Sequence, residues 1–281
     1  MLSYRHGFHA GNHADVLKHL VLVQALQYMC QKDAPFWYVD SHAGGGAYDL
    51  GSDQATKLGE FHDGIERLWQ RDDLPEAVAD YVNVVRALNP SGKLKQYPGS
   101  PWIANHLLRE PDKLRLFELH SNESRVLQRL FKEAGRRTQV TAMDGYTGLK
   151  AVLPPPPKRA VVLIDPSYET KDDYRNVVTA MQEAIKRFAT GTYAIWYPQL
   201  ARTESKLLPE KLKALPVKSW LHATLKVHKP SKDGFGMAGS GMFVINPPWT
   251  LHDTLQATLP WLSEVLAQGE GAGFTLERLE S

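Results

Sequence analysis

The sequence predicts an α/β fold with a mostly parallel seven-stranded sheet, helices on both of its faces and a small helical insertion. Residues 161–164 are four consecutive aliphatic residues, a run typical of a strand buried on both faces, and they end abruptly at Asp165. An aromatic and β-branched run, residues 36–39, ends in the same way at Asp40. Segments with helical periodicity separate these runs, which is the order expected when crossover helices join parallel strands.

Length and composition are those of an ordinary globular protein. The chain has 281 residues, 43% of them hydrophobic and 23% charged, which suffices for one large α/β domain with or without an insertion. The single cysteine, Cys30, excludes an intramolecular disulfide and a cysteine-rich zinc site. Because the sequence shows neither a signal-peptide core nor an apolar run of about 20 residues, we expect a soluble cytoplasmic protein with no membrane partner.

Charge is unevenly distributed along the chain. The formal net charge of +2 neither demands nor excludes a nucleic-acid partner. Residues 201–233, however, carry eight Lys or Arg against three Asp or Glu, and residues 123–137 carry five against two. Such segments are commonly solvated surface, although two local basic faces are possible.

The N-terminal segment, residues 1–12, mixes aromatic, imidazole and cationic side chains without helical or strand periodicity, and we expect an ordered arm. Asn12 or Asp15 can cap the helix that follows, whose apolar residues recur at helical spacing as far as Tyr28. The first 42 residues include the histidines His6, His9, His13, His19 and His42. No two of them have the spacing of an established ligand motif such as HExxH, so we predict no metal site.

The strand that ends at Asp40 leads into three glycines, Gly44 to Gly46. Glycines let a backbone approach a ligand closely and expose its N–H groups, although a flexible turn has the same composition. The segment has neither a GxGxxG pattern nor the lysine of a P-loop, so phosphate binding is not indicated. A glycine-rich turn beside a strand-end acid fits a nucleoside ligand without phosphates, such as S-adenosylmethionine.

Residues 52–96 have helical periodicity and separate the first predicted strand from the second, which ends at Glu118. A dinucleotide-binding fold places its ribose-binding acid about 20 residues after the glycines. Glu118 follows them by about 70 residues. We therefore predict a helical insertion at 52–96, within a core formed by 1–51, which includes the N-terminal arm, and 97–281.

Acids end four successive predicted strands. Asp40, Glu118, Asp144 and Asp165 occupy these positions, and each of them alone is typical of a solvated turn. Because the carboxyl ends of parallel strands share one edge of the sheet, the four together predict a binding crevice there. Glu118 is placed to accept from ribose hydroxyls, and Asp144, with Gly145, from an adenine amino group.

Three further strands are predicted at 192–198, 221–227 and 241–246. They complete the seven strands of the predicted sheet. The tail from Leu251 contains one amphipathic helix and then a glycine-rich, net acidic end that we expect to be peripheral.

Several motifs of the chain occur together, in the same order, in one known family. They are YRHGFHAGNHADVLKH, DSHAGGGAYDLGS, YPGSP, FELH, IDPSYE, IWYP and SGMFVINPPW. On these motifs the chain resembles, over nearly its whole length, the bacterial ribosomal RNA large-subunit methyltransferase J family, which makes N6-methyladenine at adenine 2030 of 23S rRNA. The resemblance implies a Rossmann-like S-adenosylmethionine-dependent methyltransferase fold, S-adenosyl-L-methionine as cofactor and 23S rRNA as partner.

The segment Asp165-Pro166-Ser167-Tyr168 resembles the (Asp/Asn/Ser)-Pro-Pro-(Tyr/Phe) motif of amino-methyltransferases. In that motif the carboxylate and the first proline's carbonyl orient the target amine, and the aromatic ring stacks on the base. The resemblance therefore implies Asp165, Pro166 and Tyr168 as catalytic residues. Ser167 departs from the family's second proline, whose ring would fix φ near about −65° and stiffen the turn, so the departure bears on the turnover rate.

The resemblance also implies two sets of binding residues. Cofactor contacts are expected from His19, His42, Gly44, Ser100, Glu118, Asp144, Gly145 and Asp165. Substrate contacts are expected from Tyr4, His6, Lys18 and Tyr168, with Tyr4 closing over the target base. The expected substrate is 23S rRNA, free of protein or in an early assembly intermediate, and the expected oligomeric state is a monomer. The helical insertion and the basic segment 201–233, with Lys226, Lys229 and Lys232, are the candidate surfaces for binding this RNA.

Three alternatives stay open at this point. The motif alone does not separate adenine in RNA from adenine or cytosine N4 in DNA, or from a protein glutamine amide. Ser167 leaves room for a non-catalytic RNA-binding protein of the same fold. The N-terminal histidines leave room for a metal-dependent hydrolase.

Overall fold

Ten strands and ten α-helices make up the part of the chain that the computed structural model describes, residues 5–231 and 236–280. The strands are β1 (Trp37–Asp40), β2 (Ala47–Asp49), β3 (Gln96–Pro98), β4 (Lys113–Phe117), β5 (Thr138–Thr141), β6 (Ala160–Ile164), β7 (Thr192–Gln199), β8 (Trp220–Lys226), β9 (Gly239–Ile245) and β10 (Gly273–Leu279). The helices are α1 (His13–Cys30), α2 (Asp53–Leu58), α3 (Glu66–Trp69), α4 (Glu76–Leu88), α5 (Ser100–Leu107), α6 (Ser121–Leu130), α7 (Gly145–Val152), α8 (Lys171–Arg187), α9 (Thr203–Lys213) and α10 (Leu251–Val265).

Eight of the strands form one sheet, in the order β10-β8-β9-β7-β6-β1-β4-β5. Strands β5, β4, β1, β6 and β7 are parallel to one another, and β9, β8 and β10 continue the sheet with antiparallel pairing. Each of the seven predicted strands is present in this sheet. The mostly parallel α/β fold is therefore confirmed, but the predicted number of seven strands is wrong by one.

The additional strand is β10, in the tail that the sequence predicts to be peripheral. It pairs antiparallel with β8 at the edge of the sheet, where the hydroxyl oxygens of Thr224 and Thr275 lie 2.7 Å apart. Lys213 Nζ adds an ion pair, 2.8 Å from Glu277 Oε2. Because the side chains of β10 are half-buried or exposed on both faces, the buried-face pattern that identifies a strand in sequence is absent from it.

Helix α1 lies against the sheet and is buried around nearly its whole circumference. The sequence predicts a single apolar stripe, but α4, α5 and α10 also pack on this helix and cover its other faces. Asn12 is the N-cap, because its Oδ1 accepts from the backbone N–H of Ala14 at 3.0 Å and from that of Asp15 at 2.9 Å. The Asp15 carboxylate is thereby left for other partners.

Residues 52–96 contain α2, α3 and α4 between strands β2 and β3, which pair antiparallel as a separate two-stranded sheet. Ile65, Leu68 and Tyr81 of this segment are buried in the same hydrophobic cluster as Leu17 of α1. Because they share one core, the helical segment and α1 stabilise each other. The division into a core and an insertion subdomain stays a prediction.

The parallel strands β1, β4, β5 and β6 end at the same edge of the sheet. Strand β1 has β4 on one side and β6 on the other, so the chain changes its direction of travel across the sheet at β1. Ligands of open α/β sheets bind beside such a switch point, at the carboxyl ends of the strands. Within residues 5–231 and 236–280, no helix has the length and apolar character that crossing a bilayer requires.

Candidate active site

A cavity of about 200 Å³ lies beyond the carboxyl ends of β1, β4, β5 and β6. Many of the predicted site residues line it: His6, Lys18, His19, His42, Gly44, Ser100, Glu118, Asp144, Gly145, Asp165 and Pro166. Tyr168 is not among the lining residues, and Tyr4 lies outside the described part of the chain. Three of the four acids at strand ends therefore meet at one cavity, together with side chains of α1.

Asp165, directly after β6, forms an ion pair with Lys18 of α1. Lys18 Nζ lies 2.6 Å from Asp165 Oδ2 and 2.8 Å from Asp15 Oδ1. Asp15 Oδ2 accepts from the Gly11 backbone N–H at 2.8 Å and lies 2.9 Å from His6 Nε2. A continuous polar chain from His6 through Asp15 and Lys18 therefore fixes the Asp165 carboxylate at the cavity.

Lys18 and Asp15 are both buried, and each stabilises the charge of the other. Burial would lower the pKa of Lys18, but the carboxylates of Asp15 and Asp165 raise it above its ordinary value. Burial would raise the pKa of Asp15, but His6 and Lys18 bring it well below its ordinary value. Both groups are therefore charged at neutral pH, and the Lys18 cation is already balanced by two carboxylates.

The turn that follows Asp165 places Pro166 at the cavity and Tyr168 behind its wall. Tyr168 has a φ of 52°, in the left-handed region that side chains other than glycine rarely adopt, and it is 2% exposed. Its hydroxyl donates to the Trp196 carbonyl at 2.7 Å, and its ring centroid lies 4.6 Å from that of Tyr174. These contacts hold the strained turn. Stacking of Tyr168 on a base stays a prediction.

Glu118 and the glycine loop are bonded to each other. Glu118 Oε2 accepts from the Gly44 backbone N–H at 2.8 Å, and Oε1 accepts from that of His120 at 2.7 Å. The Gly45 N–H donates to the Tyr48 hydroxyl at 3.1 Å. The interpretation that these glycines expose free N–H groups is therefore wrong for Gly44 and Gly45, because the protein's own side chains accept from both. Burial raises the pKa of Glu118.

Asp40 ends β1 but does not line the cavity. Its buried carboxylate accepts from the Tyr38 hydroxyl at 2.6 Å, the Ser100 hydroxyl at 2.7 Å and the His42 backbone N–H at 3.2 Å. Burial raises the pKa of Asp40 to about 6. Asp40 therefore does not line the site itself but fixes the positions of two predicted cofactor residues, Ser100 and His42.

Asp144 and Gly145 begin helix α7. Asp144 is its N-cap, since Oδ1 accepts from the Thr147 backbone N–H at 2.8 Å. A Cβ atom on Gly145 would lie 1.8 Å from the Ser41 carbonyl oxygen, so only glycine allows α7 to start so close to the end of β1. The neighbouring His42 ring packs against that of Tyr146, at 5.1 Å between centroids.

His19 lines the cavity and has one ring nitrogen without a partner among the described residues. Its Nδ1 lies 2.8 Å from the Tyr97 hydroxyl, whereas Nε2 is buried and has no partner among the described residues. Burial lowers the pKa of His19 well below its ordinary value, so the ring is neutral. A buried polar atom without a partner is costly, so Nε2 is a candidate contact for a ligand.

Comparison with known proteins assigns the chain to a family. It matches, over residues 33–277, the model of the family described as ribosomal RNA large subunit methyltransferase D, RlmJ. The chain belongs to this family. The Escherichia coli ribosomal RNA large subunit methyltransferase J is 49% identical over 96% of both chains, and its Haemophilus influenzae counterpart is 47% identical over 99% of this chain and 98% of its own length.

A solved structure agrees with this assignment. The crystal structure of a Legionella pneumophila protein is 35% identical, covers 96% of this chain and 98% of its own, and superposes with a TM-score of 0.88. As a member of the methyltransferase J family, the protein is an S-adenosylmethionine-dependent methyltransferase with the fold expected from its sequence.

The cavity suits S-adenosylmethionine. Among the described residues, Lys18 is the only Lys or Arg that lines it, and its charge is balanced by two carboxylates, so no free cation is left for a phosphate. The unpaired His19 nitrogen and the Glu118 and Asp144 carboxylates suit a nucleoside that carries hydroxyl, amino and carboxylate groups. In the described ranges no group of three or more His, Cys, Asp or Glu is arranged to hold a metal ion.

Several residues of the site and its support escape prediction from sequence, among them Asp15 and three tyrosines. Asp15 has one signal, its i, i+3 spacing to Lys18 on a predicted helix, but the sequence equally allows it as the helix cap. Tyr48 lines the cavity, and Tyr97 supports His19 from 78 residues away along the chain. The Tyr81 hydroxyl lies 2.8 Å from the Tyr97 hydroxyl and so supports it. No local pattern connects these tyrosines with the site.

Proposed function

We propose that this protein methylates the exocyclic N6 amine of one adenine in 23S rRNA, the residue corresponding to adenine 2030. Support comes from the curated relatives, which are named ribosomal RNA large subunit methyltransferases, and from the Asp165-Pro166 turn at the cavity. We further propose that it acts as a cytoplasmic monomer, on protein-free 23S rRNA or on an early assembly intermediate.

The position of Asp165 carries this proposal. An adenine amine is a weak nucleophile because its lone pair is delocalised into the ring. Hydrogen bonds from this amine to the Asp165 carboxylate and the Pro166 carbonyl favour a pyramidal nitrogen and direct its lone pair. The ion pair with Lys18 fixes the Asp165 acceptor before the base arrives, so little reorganisation is needed in the reaction.

The cofactor residues have separate tasks. Bound S-adenosylmethionine supplies an electrophilic methyl group. Each carboxylate oxygen of Glu118 keeps a lone pair for a ribose hydroxyl after accepting from the backbone. The second oxygen of Asp144 is available to an adenine amino group, and His19 Nε2, which has no partner among the described residues, is available to a further polar group of the ligand. Asp165 is placed to take the proton that the target amine loses, which requires no strong base because the methylated amine is acidic.

Label from methyl-labelled S-adenosylmethionine is expected to enter protein-free 23S rRNA, on N6 of a single adenine, and not duplex DNA. Nuclease digestion followed by mass spectrometry of the nucleosides identifies the base. Label in duplex DNA, or on cytosine N4, would support the second candidate, a DNA amino-methyltransferase, which the Asp-Pro motif equally allows. Cofactor binding without transfer to any nucleic acid would indicate a non-catalytic RNA-binding protein.

Helix α6 is the surface that best fits RNA beside this cavity. Leu119 and Glu123, at the start of the helix, line the cavity, and Arg125 and Arg129 are exposed further along it. Within the described ranges, the Arg125 guanidinium bonds only to neutral groups of its own helix, including the Asn122 side chain at 2.9 Å, so no described acid compensates its charge. Phosphates of an RNA whose base enters the cavity would meet these cations.

The basic segment 201–233 has less free charge than its composition indicates. Lys213 pairs with Glu210 and Glu277, at 2.9 and 2.8 Å, and Lys229 pairs with Glu270 at 2.8 Å. Lys232 lies outside the described part of the chain. The contribution of this segment to RNA binding stays a prediction.

The double variant Arg125→Gln/Arg129→Gln is expected to bind a 23S rRNA fragment more weakly and with a smaller salt dependence. Losing two phosphate contacts reduces the slope of log affinity against log salt concentration by about 1.5. Filter binding over a range of salt concentrations measures both quantities, and calorimetry with S-adenosylhomocysteine checks that cofactor affinity is unchanged.

Lys186→Gln/Arg187→Gln is the matched control, because these exposed cations lie on the last turn of α8, at the sheet edge opposite the cavity. An equal loss of RNA affinity in both double variants would mean that α6 contributes no specific contact.

A further inference from the structure

His19 belongs to a buried chain of three polar side chains. The Tyr97 hydroxyl lies 2.8 Å from His19 Nδ1 and 2.8 Å from the Tyr81 hydroxyl, and all three residues are almost completely buried. Tyr97 is on β3, and Tyr81 is on α4, within the helical segment 52–96. Among the described residues, the Tyr81 hydroxyl bonds only to Tyr97.

The Tyr81 hydroxyl, the Tyr97 hydroxyl and the His19 ring together have three polar hydrogens but only two hydrogen bonds between them. Burial lowers the pKa of His19 and raises the pKa values of both tyrosines, so each of the three groups carries one polar hydrogen. The two contacts, Tyr81 to Tyr97 and Tyr97 to His19, use one hydrogen each. The third hydrogen lies either on His19 Nε2, which has no partner among the described residues, or on a tyrosine hydroxyl.

One arrangement leaves the fewest buried polar groups without a partner. If Tyr81 donates to Tyr97, and Tyr97 donates to His19 Nδ1, the remaining hydrogen lies on Nε2, which alone of these groups then has no partner among the described residues. If His19 Nδ1 donates to Tyr97, a tyrosine hydrogen is left in the core without an acceptor, and the Nε2 lone pair has no donor among the described residues either. Each unsatisfied buried group is destabilising, so the first arrangement is favoured, and its open hydrogen belongs to a residue that lines the cavity.

We propose that Tyr81 and Tyr97 are positioning residues that hold His19 in the Nε2–H tautomer and so make it a hydrogen-bond donor to the bound cofactor. The partner in S-adenosylmethionine is an acceptor, and its carboxylate is the strongest acceptor that this molecule offers. Through Tyr81, the helical segment 52–96 contributes to cofactor affinity without touching the cofactor. The proposal rests on the methyltransferase activity proposed above.

Nitrogen-15 NMR of the histidine side chains tests the tautomer directly in the wild-type protein. Protonated and unprotonated imidazole nitrogens have well-separated resonances, and His19→Gln identifies the signals that belong to His19. A protonated Nε2 and an unprotonated Nδ1 are expected, with and without S-adenosylhomocysteine. An unprotonated Nε2 would overturn the proposal.

Calorimetry with S-adenosylhomocysteine tests the consequence for affinity. Tyr97→Phe removes the donor to Nδ1 and is expected to raise the cofactor Kd about tenfold and to populate the other tautomer. Tyr81→Phe leaves that donor in place and is expected to raise the Kd by about threefold. Tyr193→Phe is the control, because this buried hydroxyl donates to the Ala184 and Phe188 carbonyls away from the cavity.

The outcomes separate the two proposals. If Tyr97→Phe keeps the wild-type Kd and the wild-type tautomer, the tyrosines do not position His19 and the proposal of this relay from Tyr81 through Tyr97 to His19 is contradicted. A wild-type protein that binds no S-adenosylhomocysteine contradicts the methyltransferase assignment itself. Equal losses of affinity in Tyr97→Phe and Tyr193→Phe, with the Nε2–H tautomer kept in both, would show a general effect of hydroxyl removal and also contradict the relay.

Discussion

Replacing Asp165 with alanine is expected to abolish most of the methyl transfer while cofactor binding stays close to that of the wild type. The variant loses the acceptor that orients the target amine, and removal of one preorganised group of this kind costs about 10²- to 10³-fold in rate. Lys18 keeps its ion pair with Asp15, at 2.8 Å, so the buried charge is still compensated and the fold should persist. Single-turnover methylation of 23S rRNA measures the rate, and calorimetry measures the cofactor Kd.

Asp172→Ala is the matched control for this experiment. Asp172 is an exposed acid on the first turn of α8, paired with Arg175 at 3.0 Å, and it does not line the cavity. Its removal is expected to leave the rate unchanged. If Asp165→Ala methylates at the wild-type rate, Asp165 does not orient the amine and the mechanism is wrong. If it loses cofactor binding as well, Asp165 acts mainly through the cofactor.

The parts of the fold that depend on buried runs were predictable from the sequence. Strand β6 is buried at every position and reads as an uninterrupted aliphatic run, whereas β10 is half-exposed and has no such pattern. The same physical difference explains α1, whose helical periodicity was visible although its burial by three other helices was not. Local patterns report one buried face, and they do not report which distant elements cover the others.

In the candidate site, too, local sequence patterns predict some features, whereas contacts between distant elements determine the others. Acids at strand ends meet at one edge of any parallel sheet, so Glu118, Asp144 and Asp165 could be placed together from the sequence. Asp40 satisfies the same rule, yet its carboxylate is buried against the Tyr38 and Ser100 hydroxyls and does not line the cavity, because the direction of a side chain at a strand end depends on the local turn. The partners of Glu118 and His19 come from elements remote in sequence, and tertiary packing alone brings them together.

Asp15→Asn is expected to reduce both stability and activity. Asp15 is almost completely buried between Lys18 Nζ at 2.8 Å and His6 Nε2 at 2.9 Å. In the variant, Lys18 keeps its ion pair with the more exposed Asp165 at 2.6 Å, but it loses the buried carboxylate that it shares with His6. Breaking one partner of a buried ion pair costs about 3–5 kcal/mol in the free energy of unfolding. Because Lys18 and His6 are then less firmly placed at the cavity, the methylation rate of the folded variant should also fall, by about tenfold. Urea denaturation and single-turnover kinetics measure the two effects.

The pH dependence of this stability loss identifies its electrostatic origin. Asp15 has a folded-state pKa well below its ordinary 3.8, so its contribution is fully present above that value and is lost as the pH falls below it. The difference in the free energy of unfolding between wild type and Asp15→Asn should therefore be constant near neutral pH and shrink in acid. A difference that does not shrink in acid would attribute the loss to packing instead of charge.

Asp112→Asn separates stability from catalysis. Asp112 is as buried as Asp15, and it pairs with Arg109 at 3.0 Å and accepts from the Phe36 backbone N–H at 3.0 Å. These partners lie shortly before β1 and β4, near the amino ends of these strands, whereas the cavity lies beyond their carboxyl ends. Its replacement should destabilise the protein and leave the rate of the folded fraction unchanged. A catalytic role for the polar contacts that link His6, Asp15, Lys18 and Asp165 requires a rate loss in Asp15→Asn alone. If both variants lose stability and neither loses rate, these contacts have a structural role only.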